Sequence, residues 1–144
     1  MAPRKFSATT LALLSAILAF FVLAPLAAQF RVMWDTDSYI HPAYARHYRI
    51  NGIAEPAPWG RFSMTSWGGD KDFLYHVALI PFTLGDAATG ARVALAAIDA
   101  LLIGALTFVL ARRETFWAMA LPWWLFMTAT PFFTRIVRLR PDVV

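Results

Sequence analysis

Asp35 and Asp37 stand in the run Trp34-Asp35-Thr36-Asp37-Ser38-Tyr39, a few residues beyond a stretch, 6–30, that carries no charge. Ionised carboxylates are costly beside lipid and do nothing for insertion, so paired acids at the mouth of a candidate membrane helix point to chemistry. Two kinds are open to them. Either acid can act as a general base that takes the proton of an attacking nucleophile. Alternatively, the two can ligate a hard divalent cation, Mg²⁺ or Mn²⁺, through oxygen. Joint ligation asks for non-helical backbone, because residues two apart share one side of an extended segment and not of a helix. The plainer role for Asp35 is a helix N-cap.

Other chemistry-bearing residues are more scattered. Arg135, Arg138, Arg140 and Asp142 crowd the C-terminal stretch. Arginine offers a planar fork matched to phosphate oxygens, so these residues suit an anionic ligand; the bland reading is that they snorkel to lipid headgroups. Lys71 can meet a phosphate or simply flank an interfacial segment. Asp99 lies inside an apolar run, where an ionisable group is expensive; a hydrogen-bonded contact to another helix is the favoured role, ahead of catalysis. His41, His47 and His76 lack metal-motif spacing, and each is expected to be satisfied or exposed rather than a ligand. There is no Gly-rich phosphate loop, Ser-His-Asp arrangement or HExxH motif.

The elements that must position these groups follow from composition. With 59% hydrophobic and 15% charged residues and a mean hydropathy of +0.54, the chain is more apolar than soluble domains, in which about a quarter of residues are charged. An all-α integral membrane protein is expected. Zero cysteines exclude disulfides and thiolate metal sites. The net charge of +4 comes from short clusters beside apolar runs, which fits membrane lipids as partners and gives no nucleic-acid face.

Three spans are expected, at 6–30, 91–111 and 116–134, because these runs approach the roughly 20 residues that a bilayer requires. Arg4 and Lys5 before the first span put the N-terminus in the cytoplasm. The first run is too long for a signal-peptide core of about 7–15 residues and reads as an anchor, with Pro25 kinking it without ending it. Residues 31–88 then form a large extracytoplasmic loop with short interfacial helices. One covers 39–50, broken early by Pro42; 51–69 is loop; and 73–84, interrupted by Pro81, is too short to span. Residues 135–144 begin a second outer loop, whose arginines run against the positive-inside trend. An N-terminal part of a longer polytopic chain is expected.

This order of elements resembles the GT-C superfamily of membrane glycosyltransferases, which use polyprenyl-phosphate sugars. Asp35-Thr36-Asp37-Ser38-Tyr39 looks like the acidic signatures of aminoarabinose transferases, protein O-mannosyltransferases and oligosaccharyltransferase catalytic subunits. Asp70-Lys71-Asp72-Phe73-Leu74-Tyr75 is similar to a first-loop Asp-Lys-Pro-Pro-Leu-Tyr run, without its prolines. Arg138-Leu139-Arg140-Pro141-Asp142 falls where these families place a second acidic motif. The resemblance implies a lipid-linked sugar donor, a bacterial plasma membrane location, Asp35, Asp37 and Asp142 as catalytic acids, and Tyr39, Lys71, Arg138 and Arg140 as substrate contacts. The competing expectation is a non-catalytic assembly or transport subunit whose outer loop binds a partner.

Overall fold

The computed structural model describes residues 6–29, 37–53, 70, 72–113 and 117–128. Among the described residues every regular element is a helix and there is no strand. Helix α1 covers Ala8–Gln29, α2 Asp37–Asn51, α3 Phe73–Leu79, α4 Ala87–Ala111 and α5 Ala120–Thr128, with a 3₁₀ turn, Ile80–Thr83, between α3 and α4.

Among the described residues two helices are long and apolar enough to cross a membrane, α1 with 22 residues and α4 with 25. At about 1.5 Å per residue they measure roughly 33 and 37 Å, against a hydrocarbon core of about 30 Å. Pro25 lies inside α1 without ending it, as expected. The third expected span is represented by α5, whose nine residues rise about 14 Å; residues 129–144 are outside those described.

Helix α4 is the axis of the fold, touching α1, α2, the 3₁₀ turn and α5. It begins four residues ahead of the expected start because Asp86 caps it: the Asp86 carboxylate accepts from the Thr89 amide at 2.8 Å. Its seam with α1 is built from small side chains. Ser15, Ala19, Leu23 and Ala27 are the buried residues of α1, and Ala96, Ala100, Gly104, Thr107 and Ala111 are among those of α4. The Thr107 hydroxyl donates to Ser15 Oγ at 3.0 Å inside the seam. Ala16 faces Gly104, while Ala19 and Leu23 join Ala96, Ala100 and Ile103 in one cluster. The two helices therefore run antiparallel, and the end of α1 lies beside the start of α4. The rest of α1 turns large apolar side chains outward: Leu13, Ile17 and Phe21 are 59%, 54% and 70% exposed. A helix apolar all round with one narrow buried stripe of small residues suits lipid.

Between those two ends, α2 and α3 fold against the first turns of α4 through Ala45, Tyr75, Leu79, Ala91 and Ala94. Contrary to expectation, Pro42 does not break α2, which starts at Asp37 and runs through it. Close to the helix start Pro42 sacrifices one backbone bond, which the remaining turns outweigh. The helix stops at Gly52, whose φ of 89° is the left-handed conformation that glycine adopts without strain, its amide reaching the Tyr48 carbonyl at 3.0 Å. Pro81 converts the end of α3 into the 3₁₀ turn, as its ring has no amide to continue the α ladder. That turn presses on α4 so closely that Gly90 leaves no room for a Cβ beside the Phe82 carbonyl oxygen.

Asp99 is buried in α4 at 4% exposure. The expected interhelical hydrogen bond is not formed by its Oδ1, which has no partner among the described residues.

The seam generates a prediction. A Cβ at Gly104 would lie 2.9 Å from Ala16 Cβ and 3.2 Å from the Ala12 carbonyl oxygen. Gly104→Val should therefore push α1 from α4 and destabilise the pair by about 1–3 kcal/mol. Gly85→Ala, with open space around the new methyl group, should change stability by no more than about 0.5 kcal/mol. Reversible unfolding in detergent micelles checks both; equal stabilities for the two variants would contradict a tight seam.

Candidate functional site

Helix α2 presents two working faces. Tyr39, Pro42, Ala43 and Arg46 recur at helical spacing on one, and His41, Tyr44, Ala45 and Tyr48 on the other. The second face meets α3, and the meeting produces the most concentrated polar assembly among the described residues.

Asp70 is its hub. Tyr48 donates its hydroxyl to Asp70 Oδ2 at 2.6 Å, His76 Nδ1 approaches the same oxygen at 2.5 Å, and the Asp72 amide donates to Asp70 Oδ1 at 3.0 Å. His76 Nε2 in turn faces His41 Nδ1 at 2.7 Å. The side chains of His76 and Asp70 are only 2% and 13% exposed. Aromatic rings wall the assembly: Tyr44 stacks on His76 with centroids 4.8 Å apart and planes 4° from parallel, and Tyr75 meets His41 edge-on at 5.3 Å.

The electrostatics follow from this packing. Burial by itself would raise the Asp70 carboxyl, but hydrogen bonds from Tyr48 and His76, the field of His76 and the Asp72 amide together hold it below the ordinary carboxylate range. Tyr48 is pushed the other way, first by burial and then by its bond to Asp70 and the charge of that carboxylate, so its phenol stays protonated beyond its usual range. With Asp70 ionised, His76 carries a proton on Nδ1. Its Nε2 then either accepts from His41 or, when the ring is cationic, donates to it. Asp70, His76 and His41 thus form a continuous path for a proton between a fixed carboxylate and a second imidazole.

Asp72 completes the group. It occupies the N-cap position of α3, yet its side chain makes no capping hydrogen bond. One ligand atom each from His41, Asp72 and His76 lie within 4.8 Å of one another, so these three residues could hold a metal ion.

On the other face of α2, Tyr39, Arg46, Asp86 and Ala88 contribute to a groove of about 310 Å³. Tyr39 is the one expected substrate contact whose side chain the structure describes, and it is half-exposed at this groove. Asp35, Lys71, Arg138, Arg140 and Asp142 lie outside the described residues, as does the side chain of Asp37, whose backbone opens α2. The structure instead bonds Asp70 to His76 and gathers Asp72 near His76 and His41, two histidines that sequence spacing does not connect, being 35 residues apart. A legible signal was available only for part of this: His41, Ala45 and Tyr48 share a helical face, as do Asp72 and His76.

No family model, curated protein or solved structure matches this chain.

Asp70→Asn in metal-free buffer should cost about 1.5–3 kcal/mol, the range for hydrogen bonds to a charged group. Because the folded state lowers the pKa of Asp70, its contribution is present above the ordinary carboxylate value of 3.8. It disappears as pH falls through the lower folded value. Denaturant midpoints measured from pH 7 down to acid should therefore converge for the wild type and Asp70→Asn. A gap between them that stays constant with pH would rule out the ionised hub.

Proposed function

We propose that the chain is the membrane module of a GT-C-like glycosyltransferase, transferring a sugar from a polyprenyl-phosphate donor at the outer face of a bacterial plasma membrane. The observation that carries this reading is the seating of the Asp70 assembly, in the same run that resembles a first-loop motif, at the shared end of two helices suited to lipid. A lipid-linked donor brings its phosphate and sugar to that level of the membrane. Sugar transfer needs a group to take the acceptor's proton and positive charge to stabilise the departing phosphate.

In this reading Asp35 or Asp37 is the base, or both hold Mg²⁺ or Mn²⁺ that orients the substrates. Arg138 and Arg140 bind the donor phosphate, Lys71 is a further substrate contact, and Asp142 is the second acid. The described groove adds Tyr39 for the sugar and Arg46, an exposed cation that sequence alone did not single out.

The chain contains no cysteine, which makes topology directly testable. In intact cells Gly60→Cys should react with an impermeant thiol reagent and Arg113→Cys should not; the reverse pattern would turn the module over and remove the outer-face reading.

Activity is tested in membranes containing the full natural protein, supplied with radiolabelled polyprenyl-phosphate sugars. Asp35→Asn or Asp37→Asn should reduce transfer by about 10²–10⁴-fold, the usual contribution of a general base. Asp99→Asn should retain it, and Arg140→Ala should raise the KM for donor more than for acceptor. Full transfer by both Asp35→Asn and Asp37→Asn would eliminate the acids as catalysts. Absence of transfer from every polyprenyl-phosphate donor would favour the non-catalytic subunit.

A further inference from the structure

We propose that His41, Asp72 and His76 form a binding site for a zinc-type dication, with Asp70 as the carboxylate that orients His76. This inference uses the same Asp70 assembly as the glycosyl-transfer reading but does not require it, and it is separate from any Mg²⁺ or Mn²⁺ on Asp35 and Asp37.

Three observations carry it. First, His76 uses Nδ1 for Asp70 at 2.5 Å, which leaves Nε2 as the ligand atom of the neutral ring. A carboxylate holding the far nitrogen of a metal-binding imidazole is the recurrent outer support of such sites, fixing both tautomer and ring direction. Second, that Nε2 lies 2.7 Å from His41 Nδ1 in a buried setting. Two imidazole nitrogens bound at about 2.0–2.1 Å to one tetrahedral ion stand roughly 3.3 Å apart. The rings need to part by only a fraction of an ångström, provided His41 moves its proton to Nε2. Third, Asp72 stands at the start of α3, four residues before His76. One of its carboxylate oxygens lies within 4.8 Å of both histidine ligand atoms, close enough to complete a three-ligand set.

The donor set selects the ion. Two imidazoles and one carboxylate are typical of zinc and its transition-metal neighbours, whereas Mg²⁺ prefers an octahedron of oxygens and keeps its water. Three protein ligands leave a fourth position for water or a substrate oxygen, the pattern of an open rather than a closed zinc site. The aromatic wall of Tyr44 and Tyr75 limits solvent on the imidazole side. The partial exposure of Asp72 leaves an approach from the other.

The test uses the purified full chain in detergent micelles, stripped of metal, with Co²⁺ as the probe. One equivalent should bind with the visible bands of a low-coordinate nitrogen and oxygen site, be displaced by one equivalent of Zn²⁺, and resist a large excess of Mg²⁺. Asp72→Asn and His41→Gln should each weaken zinc binding at least about 10-fold, and Asp70→Asn, which keeps every ligand, by about 10–100-fold. Asp35→Asn should leave the cobalt spectrum unchanged. Circular dichroism of each variant verifies retained helix; should His41→Gln lose helix, Asp72→Asn, at the partly exposed edge, decides. Absence of saturable Co²⁺ uptake, or uptake that Asp72→Asn leaves intact, would overturn the site.

Discussion

A carboxylate withdrawn from water is tolerable only where donors replace its hydration, and Asp70 meets that condition with donors from three directions. Tyr48 arrives from α2, His76 from α3, and the Asp72 amide from the turn between Asp70 and α3. Each partner constrains a different element, so the requirement to satisfy one partly buried anion fixes how α3 lies along α2. The apolar contacts of Ala45, Tyr75 and Leu79 with α4 would allow some sliding; directed hydrogen bonds do not. The registry of the two short helices therefore rests on electrostatics, while their attachment to the long helix rests on packing.

The seam between α1 and α4 solves a different problem. Helices surrounded by lipid gain little from burying leucine against leucine, since the alternative environment is equally apolar. Close approach through Ala16, Ala19, Ala100 and Gly104 gains dispersion contacts that lipid tails cannot match, and the Thr107–Ser15 bond adds one polar tie within the contact. Because the pair is antiparallel, the chain leaves α1 and enters α4 at the same end. The intervening α2 and α3 are held over that end, which brings the polar assembly to the boundary of the apolar pair rather than into its middle.

His76 is where the two chemical uses of this site compete. Its Nδ1 is committed to Asp70, so its Nε2 can relay a proton to His41 or bind a cation, and cannot do both at once. A bound dication would interrupt the proton path and substitute its own field for the imidazole proton. Proton relay and metal binding would thus be alternative uses of one set of side chains, with Asp70 oriented the same way in each. Arg46, on the opposite face of α2, is separated from this choice by the helix itself.

The parts legible in sequence are those governed by local rules. A charge-free run marks α1, a long apolar run carrying only Arg92 and Asp99 as charges marks α4, and Pro81 marks the end of a shorter element. The cap at Asp86 and the continuation of α2 through Pro42 were equally local but weaker signals. Each required weighing one backbone bond against several, and composition alone does not resolve that. What only the tertiary structure decided is which distant side chains meet. His41 and His76 are 35 residues apart and Ser15 and Thr107 are 92 apart. Periodicity tells which residues share a helical face; it does not tell how two helices are rotated against each other. That rotation follows from the small-residue seam and from the donors that gather around Asp70, and it turns scattered histidines and acids into one site.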